Sequence, residues 1–201
     1  MNRKELIQLV IAWLVISICF ALRLNNYDLF SLLGKKVVFN FSELLKFLLI
    51  SLVITATSFI IHEMAHKYTA IHFGAKGQFV MWSEGLIISL VFTAIFGFML
   101  IIPGAVYIFG KDLSRKEYGI VSLAGPLSNI IMGLIFIGLS FSGILPAIII
   151  SYGIMINFWL AFFNLLPVWQ LDGKKIFVWN IFVWLLMILV AGFFVFIPYV
   201  I

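Results

Sequence analysis

A chain of 201 residues that is 64% hydrophobic and 10% charged, with a mean hydropathy of +1.21, lacks the polar surface of a water-soluble domain, which usually carries about a quarter charged residues. Its net charge of +5 comes from basic residues set singly and in pairs between apolar runs, which excludes a nucleic-acid-binding patch and fits orientation signals beside membrane spans. The single cysteine, Cys19, excludes an intramolecular disulfide.

Apolar runs of about 18 residues or more cross the ~30 Å hydrocarbon layer as helices. Backbone hydrogen bonding in lipid then demands helices or a closed barrel. The runs are continuous rather than alternating, so the expected fold is an all-α integral membrane protein, a multi-span helical bundle. The first span is expected over 6–22. Arg23, Asn25 and Asn26 follow it instead of a small-residue cleavage site, which predicts a retained span rather than a removed signal peptide. After a polar stretch with Arg23, Asp28, Lys35 and Lys36, a second helix is predicted from Ser42, with Glu43 in its first turn, through HEMAHKYTAIHF to Gly74. Such a helix is longer than the hydrocarbon layer, which places its histidines in the last third.

The segment 86–102 is apolar enough to span and is followed by Pro103, Gly104 and the short run AVYIFG. A polar loop, KDLSRKEYG, comes next. Two close-set spans are predicted over 127–141 and 144–163, then the loop NLLPVWQLDGKK, then a last span over 176–197. Neither an internal repeat nor a low-complexity linker interrupts the chain, so residues 1–201 are expected to form a single membrane-embedded domain.

Residues 62–66, HEMAH, match the HExxH zinc pattern. On a helix, positions i and i+4 lie about 40° apart and one turn up, so both imidazoles can reach one cation. Glu63 stands beside the first of them, where it can take a proton from a water that zinc acidifies. With three histidines and five glutamates in the chain, a chance match is expected in on the order of one shuffled sequence per thousand. Ionisable residues inside an apolar helix are costly and mark function by default.

A catalytic zinc usually takes three protein ligands and keeps one open position. Three residues compete for the third place. His72 has the spacing of an extended zincin pattern, but Thr69 stands where that pattern has its turning glycine. On a continuing helix His72 lies about 80° around from His62 and about 9 Å beyond His66, too far to close the site. Glu84, in WSEG, is a rival carboxylate beside an interfacial Trp82. Asp172, in LDG, is one of only three aspartates and sits between two apolar spans.

HEMAH at the end of an apolar helix, AGPLSN at 124–129 and NLLPVWQLDG at 164–173 together resemble the site-two protease family of intramembrane zinc metalloproteases. The resemblance covers roughly residues 42–176, the expected core, with 6–22 and 176–197 as extra spans. It implies Zn2+ held by His62, His66 and Asp172, with Glu63 as general base. It also implies that Asn164 hydrogen-bonds the substrate carbonyl or oxyanion, and that Asn129 lines the site or holds the substrate strand. The plain alternative for both asparagines is capping or hydrogen bonding between helices. Lys174 stands where the family often has a second glycine after LDG. The family carries PDZ or CBS modules in some members, and neither is found here. The partners implied are a transmembrane protein or peptide substrate and the lipid bilayer. Two other readings are a membrane zincin with Glu84 as third ligand and a zinc-binding scaffold without turnover.

For HEMAH and LDG to reach the same side, an even number of crossings must separate them. Three spans between them break that rule, so 86–110 is expected to dip in and return, with AVYIFG as a short membrane-embedded edge strand. Five crossings then result, or six if that segment spans. The five-crossing arrangement puts Arg3, Lys4, Lys67, Lys76, Lys111, Arg115, Lys116, Lys174 and Lys175 on one side, against Arg23, Lys35, Lys36 and Lys46 on the other. The positive-inside rule makes the first side cytoplasmic. The expectation is a multi-pass protein of the cell membrane with its active site near the cytoplasmic face.

Overall fold

The computed structural model describes residues 1–34, 38–97 and 103–197. In chain order it contains α1 (Arg3–Leu24), α2 (Leu29–Leu33), α3 (Phe41–Thr55), a π-helical turn (Ala56–Ile60), α4 (Ile61–His72), β1 (Lys76–Met81), α5 (Ser83–Phe96), β2 (Gly104–Phe109), α6 (Arg115–Ser140), α7 (Ala147–Asn164), α8 (Asp172–Trp179) and α9 (Ile181–Phe196). Among the described residues, four helical stretches are long and apolar enough to cross a membrane: Arg3–Leu33, Phe41–His72, Arg115–Ser140 and Ala147–Asn164. This is a helical membrane protein.

The chain packs as two compact units, Met1–Ala56 with Phe79–Ala105, and Thr57–Gln78 with Val106–Ile201. In the first, α1 starts at Asn2, whose side-chain oxygen accepts from the Glu5 backbone N–H at 2.8 Å. It is tied to α3 by polar bonds inside an apolar interface. Trp13 Nε1 donates to the Leu52 carbonyl (3.1 Å) and the Ser17 and Thr55 hydroxyls meet at 2.7 Å. Where lipid surrounds a bundle, buried polar groups must find partners within it, and these do.

The predicted strand AVYIFG is β2. It pairs with β1, which the sequence analysis did not anticipate. The Trp82 N–H donates to the Pro103 carbonyl, while Gly110 lies against Lys76, so the strands run antiparallel. On β1, the N–H groups of Phe79 and Met81 bond Glu5 Oε1 and Gln8 Oε1 (3.1 and 3.4 Å). That occupies backbone donors that β2 does not use. The expected apolar segment 86–102 appears as α5, 14 residues long and about 21 Å, shorter than the hydrocarbon layer; residues 98–102 lie outside the described residues.

In the second unit, α6 packs against α4, α7 and α8, and α9 packs on α7 and α8. Three boundaries differ from the sequence expectation. First, KDLSRKEYG is only partly a loop. Ser114 and Glu117 form a reciprocal capping box that starts α6 at Arg115. AGPLSN therefore lies inside a helix, with Pro126 in its interior. Second, the last span is not continuous. Asn180 leaves helical geometry (φ −153°, ψ 108°) and its side chain caps α9 through the N–H groups of Phe182 and Val183. Third, the turn after LDG is the first turn of α8, so Lys174 sits in an ordinary helix start.

The core of this unit is built from Ile130 and Phe136 of α6, Ile150, Ile154, Phe158 and Ala161 of α7, and Ile176, Met187 and Ala191 beyond. Close approach of α6 and α7 depends on a reciprocal fit. The Phe158 ring fills the space over Gly133, and the Phe136 ring the space over Gly153. Small residues at such crossings let backbones approach closely in membrane bundles.

Candidate metal centre

The HEMAH helix carries its two histidines one turn apart, and both are buried. Their Nε2 atoms lie 3.0 Å from each other. Asp172, the first residue of α8, brings Oδ2 to 3.0 Å from His66 Nε2 and 3.5 Å from His62 Nε2. A tetrahedral zinc with bonds of about 2.0–2.1 Å separates its ligand atoms by about 3.3 Å, so these separations fit such an ion. His62, His66 and Asp172 are the metal-capable cluster found among the described residues.

The groups behind the ligands set their chemistry. His66 Nδ1 lies 2.7 Å from the Val121 carbonyl. A carbonyl only accepts, so this nitrogen carries the hydrogen and Nε2 presents its lone pair to the centre. His62 Nδ1 lies 2.5 Å from Asn129 Oδ1. Two imidazole lone pairs and a carboxylate oxygen thus converge, an arrangement that repels itself unless a cation sits among them. The other Asp172 oxygen, Oδ1, faces Lys175 Nζ at 3.5 Å. Burial alone would raise the Asp172 pKa. The Lys175 ammonium opposes that and helps keep the carboxyl ionised, as a ligand must be.

Two glycines make room for this geometry. A Cβ on Gly125 would lie 2.3 Å from His66 Nε2 and 2.6 Å from His62 Nε2, in the space the ligands enclose. A Cβ on Gly173 would lie 2.0 Å from the Leu165 carbonyl oxygen. Only glycine lets the first turn of α8 sit against the chain leaving α7, and that contact fixes Asp172.

Glu63 is buried, and its Oε2 has no hydrogen-bond partner among the described residues. A carboxylate oxygen left without a partner in an apolar interior is expensive. Beside a metal centre its natural partner is water. The residues present therefore fit a zinc ion, with Glu63 Oε2 left to accept from a water.

The other predicted residues are placed as follows. His72 is exposed at the end of α4, with its ring edge-on to Phe73. Glu84 is exposed in the first turn of α5 and takes no part in the cluster. Asn164 ends α7, where Nδ2 donates to the Leu160 carbonyl at 2.9 Å. Asn129 stands at the site, behind His62. It is fully buried, with Oδ1 on His62 and Nδ2 donating to the Ser58 carbonyl (2.8 Å) and to Asn157 Oδ1 (3.2 Å). These bonds join helices directly behind a ligand. Sequence reasoning passed over Gly125, Gly173 and Asn157. Asn157 did leave a signal, a lone amide in the middle of an apolar span.

Two histidines on a membrane-length helix, each backed by a buried partner, with an aspartate from the short α8 closing the cluster, define a membrane metalloprotein of the HExxH class. Similarity to known proteins narrows that class. The chain is 37% identical over 186 residues to "Putative zinc metalloprotease MJ0611" of Methanocaldococcus jannaschii, covering 91% of this chain and 88% of that protein. It is 33% identical over 157 residues to "Putative zinc metalloprotease YwhC" of Bacillus subtilis, covering 67% and 68%. The chain belongs to this zinc metalloprotease family, and Zn2+ is its metal. No family model matches the chain, and no solved structure matches it significantly.

Proposed function

We propose that this metalloprotease cuts peptide bonds within or beside membrane-spanning segments of other proteins, as a site-two protease. The observation that carries the proposal is the partnerless buried Glu63 Oε2, next to His62 on a helix of membrane length. A metal site used only for binding has no need of an orphaned carboxylate; hydrolysis does.

His62, His66 and Asp172 would hold the zinc ion, which would supply a Lewis acid to polarise the scissile carbonyl and acidify the attacking water. Glu63 takes a proton from that water and returns it to the leaving amine. Asn164 offers the second hydrogen of Nδ2, the one not spent on Leu160, to the oxygen that gains charge. The low dielectric around Glu63 strengthens both interactions. A helical substrate must unwind before attack, and β2 offers an extended backbone to pair with it by strand addition.

A five-crossing chain with 86–110 dipping in and returning keeps nine of the thirteen basic residues on the face that carries HEMAH and LDG, which makes that face cytoplasmic in a cell membrane. The short α5 supports it. A cysteine at Gly110 should be labelled only from the cytoplasmic side, and labelling from outside would overturn the arrangement.

The catalytic test is Glu63→Gln in liposomes holding a panel of fluorogenic single-span peptides. The variant should keep near-stoichiometric zinc and lose cleavage by about 10²–10⁴-fold, the usual worth of a general base. Wild type that binds zinc but cuts none of the peptides would favour a scaffold without turnover. Full activity in the variant would remove Glu63 from the chemistry.

A further inference from the structure

A histidine ligates through Nε2 only if the proton sits on Nδ1, so whatever faces Nδ1 decides whether the ring can bind metal. For His66 the decision is immediate, because the Val121 carbonyl can only accept. For His62 it is indirect. The Asn129 amide faces it, and an amide can present either its oxygen or its nitrogen. With Oδ1 towards the ring, Nδ1 carries the proton and Nε2 is a ligand. Turned over, the amide would donate to Nδ1, move the proton to Nε2 and close that nitrogen to metal.

Two fixed acceptors forbid the turned-over state. The first is the Ser58 backbone carbonyl, which takes one Asn129 Nδ2 hydrogen at 2.8 Å. The second is Asn157 Oδ1, which takes the other at 3.2 Å. Asn157 is itself an amide, so its polarity also needs fixing. That comes from the Gly153 carbonyl, one turn back on α7, which accepts from Asn157 Nδ2 at 2.8 Å. The sequence of donors then has one solution. Gly153 accepts from Asn157, Asn157 accepts from Asn129, and Asn129 accepts from His62. Asn129 and Asn157 are fully buried, so water does not compete for these bonds.

We propose that Asn157 is a positioning residue of the zinc centre, which locks the Asn129 amide and through it the tautomer in which His62 presents Nε2. The inference rests on the zinc-centre reading above and adds to it a residue two steps removed from the metal. It gives a reason for an amide in the middle of an apolar helix, where an unpaired one would be costly.

The test reads the tautomer directly. The chain has only three histidines, so 15N-histidine NMR of the metal-stripped protein in detergent can resolve them. In wild type, His62 should show a protonated Nδ1. In Asn157→Leu, an apolar residue with the same branching at Cγ, a population with unprotonated Nδ1 should appear for His62 and not for His66. Zinc affinity by chelator competition should fall on the order of 10-fold, the lower end of effects for groups behind a ligand. Asn157→Ser can still donate to Gly153 but is too short to reach Asn129, so it should show the same shift and serves if the leucine variant misfolds. Unchanged His62 signals and zinc affinity in both variants, beside a wild type that binds zinc, would overturn the proposal and leave the centre standing. Wild type without zinc affinity would overturn the centre and the proposal with it.

Discussion

Replacing Gly125 by alanine should empty the zinc centre while leaving the fold intact. The added methyl would lie 2.3 and 2.6 Å from the two histidine Nε2 atoms, well inside van der Waals contact and in the space the ligands surround. Neither imidazole can retreat freely, because each is tethered at Nδ1, to Asn129 and to Val121. Gly125 also lies inside α6, where alanine is preferred over glycine by about 0.5–1 kcal/mol. The methyl therefore does not threaten the helix. The expected result is loss of near-stoichiometric zinc, by mass spectrometry of the detergent-purified protein, with a melting temperature close to that of the metal-stripped wild type. A Gly125→Ala protein that keeps its zinc would mean the metal sits elsewhere.

The second large effect separates the two carboxylates that compete for the third ligand position. Asp172→Asn preserves shape and replaces an anionic ligand oxygen by a neutral one. Two imidazoles are then left to hold the ion, and zinc affinity should fall by more than about 100-fold, beyond what groups behind the ligands contribute. Glu84→Gln changes an exposed residue of α5 outside the cluster, and should leave zinc content unchanged. The reverse pattern, zinc lost only with Glu84→Gln, would transfer the third ligand to Glu84. Loss with neither would show that two histidines suffice.

The spans were legible because the membrane imposes a length on apolar runs. The first helix, the long helix that ends in HEMAH, and the pair now seen as α6 and α7 all came from that rule. Their ends were less legible. The start of α6 depended on the capping pair Ser114 and Glu117, hidden in what read as a charged loop. The break at Asn180 had a cap residue as its only signal, inside an apolar run that by hydropathy alone continues. The π turn before α4 left no pattern in the sequence. β1 was missed because KGQFVM lacks a strand's alternation, and its pairing with β2 spans more than twenty residues.

For the metal site, the division follows the range of the interactions. HEMAH lies within one helical turn, so helix geometry alone brings its two histidines together and sets Glu63 beside them. Composition and run length likewise determine a helical membrane protein from the chain itself. Asp172 is more than a hundred residues away, and a resemblance of motifs suggested it without saying how it arrives. Only the tertiary structure decided that, by letting Gly173 pack against the Leu165 carbonyl and Gly125 leave a hollow between the imidazoles. It also placed the Asn129 amide directly behind His62. A buried amide takes its role from whichever donors and acceptors surround it, and those come from other helices.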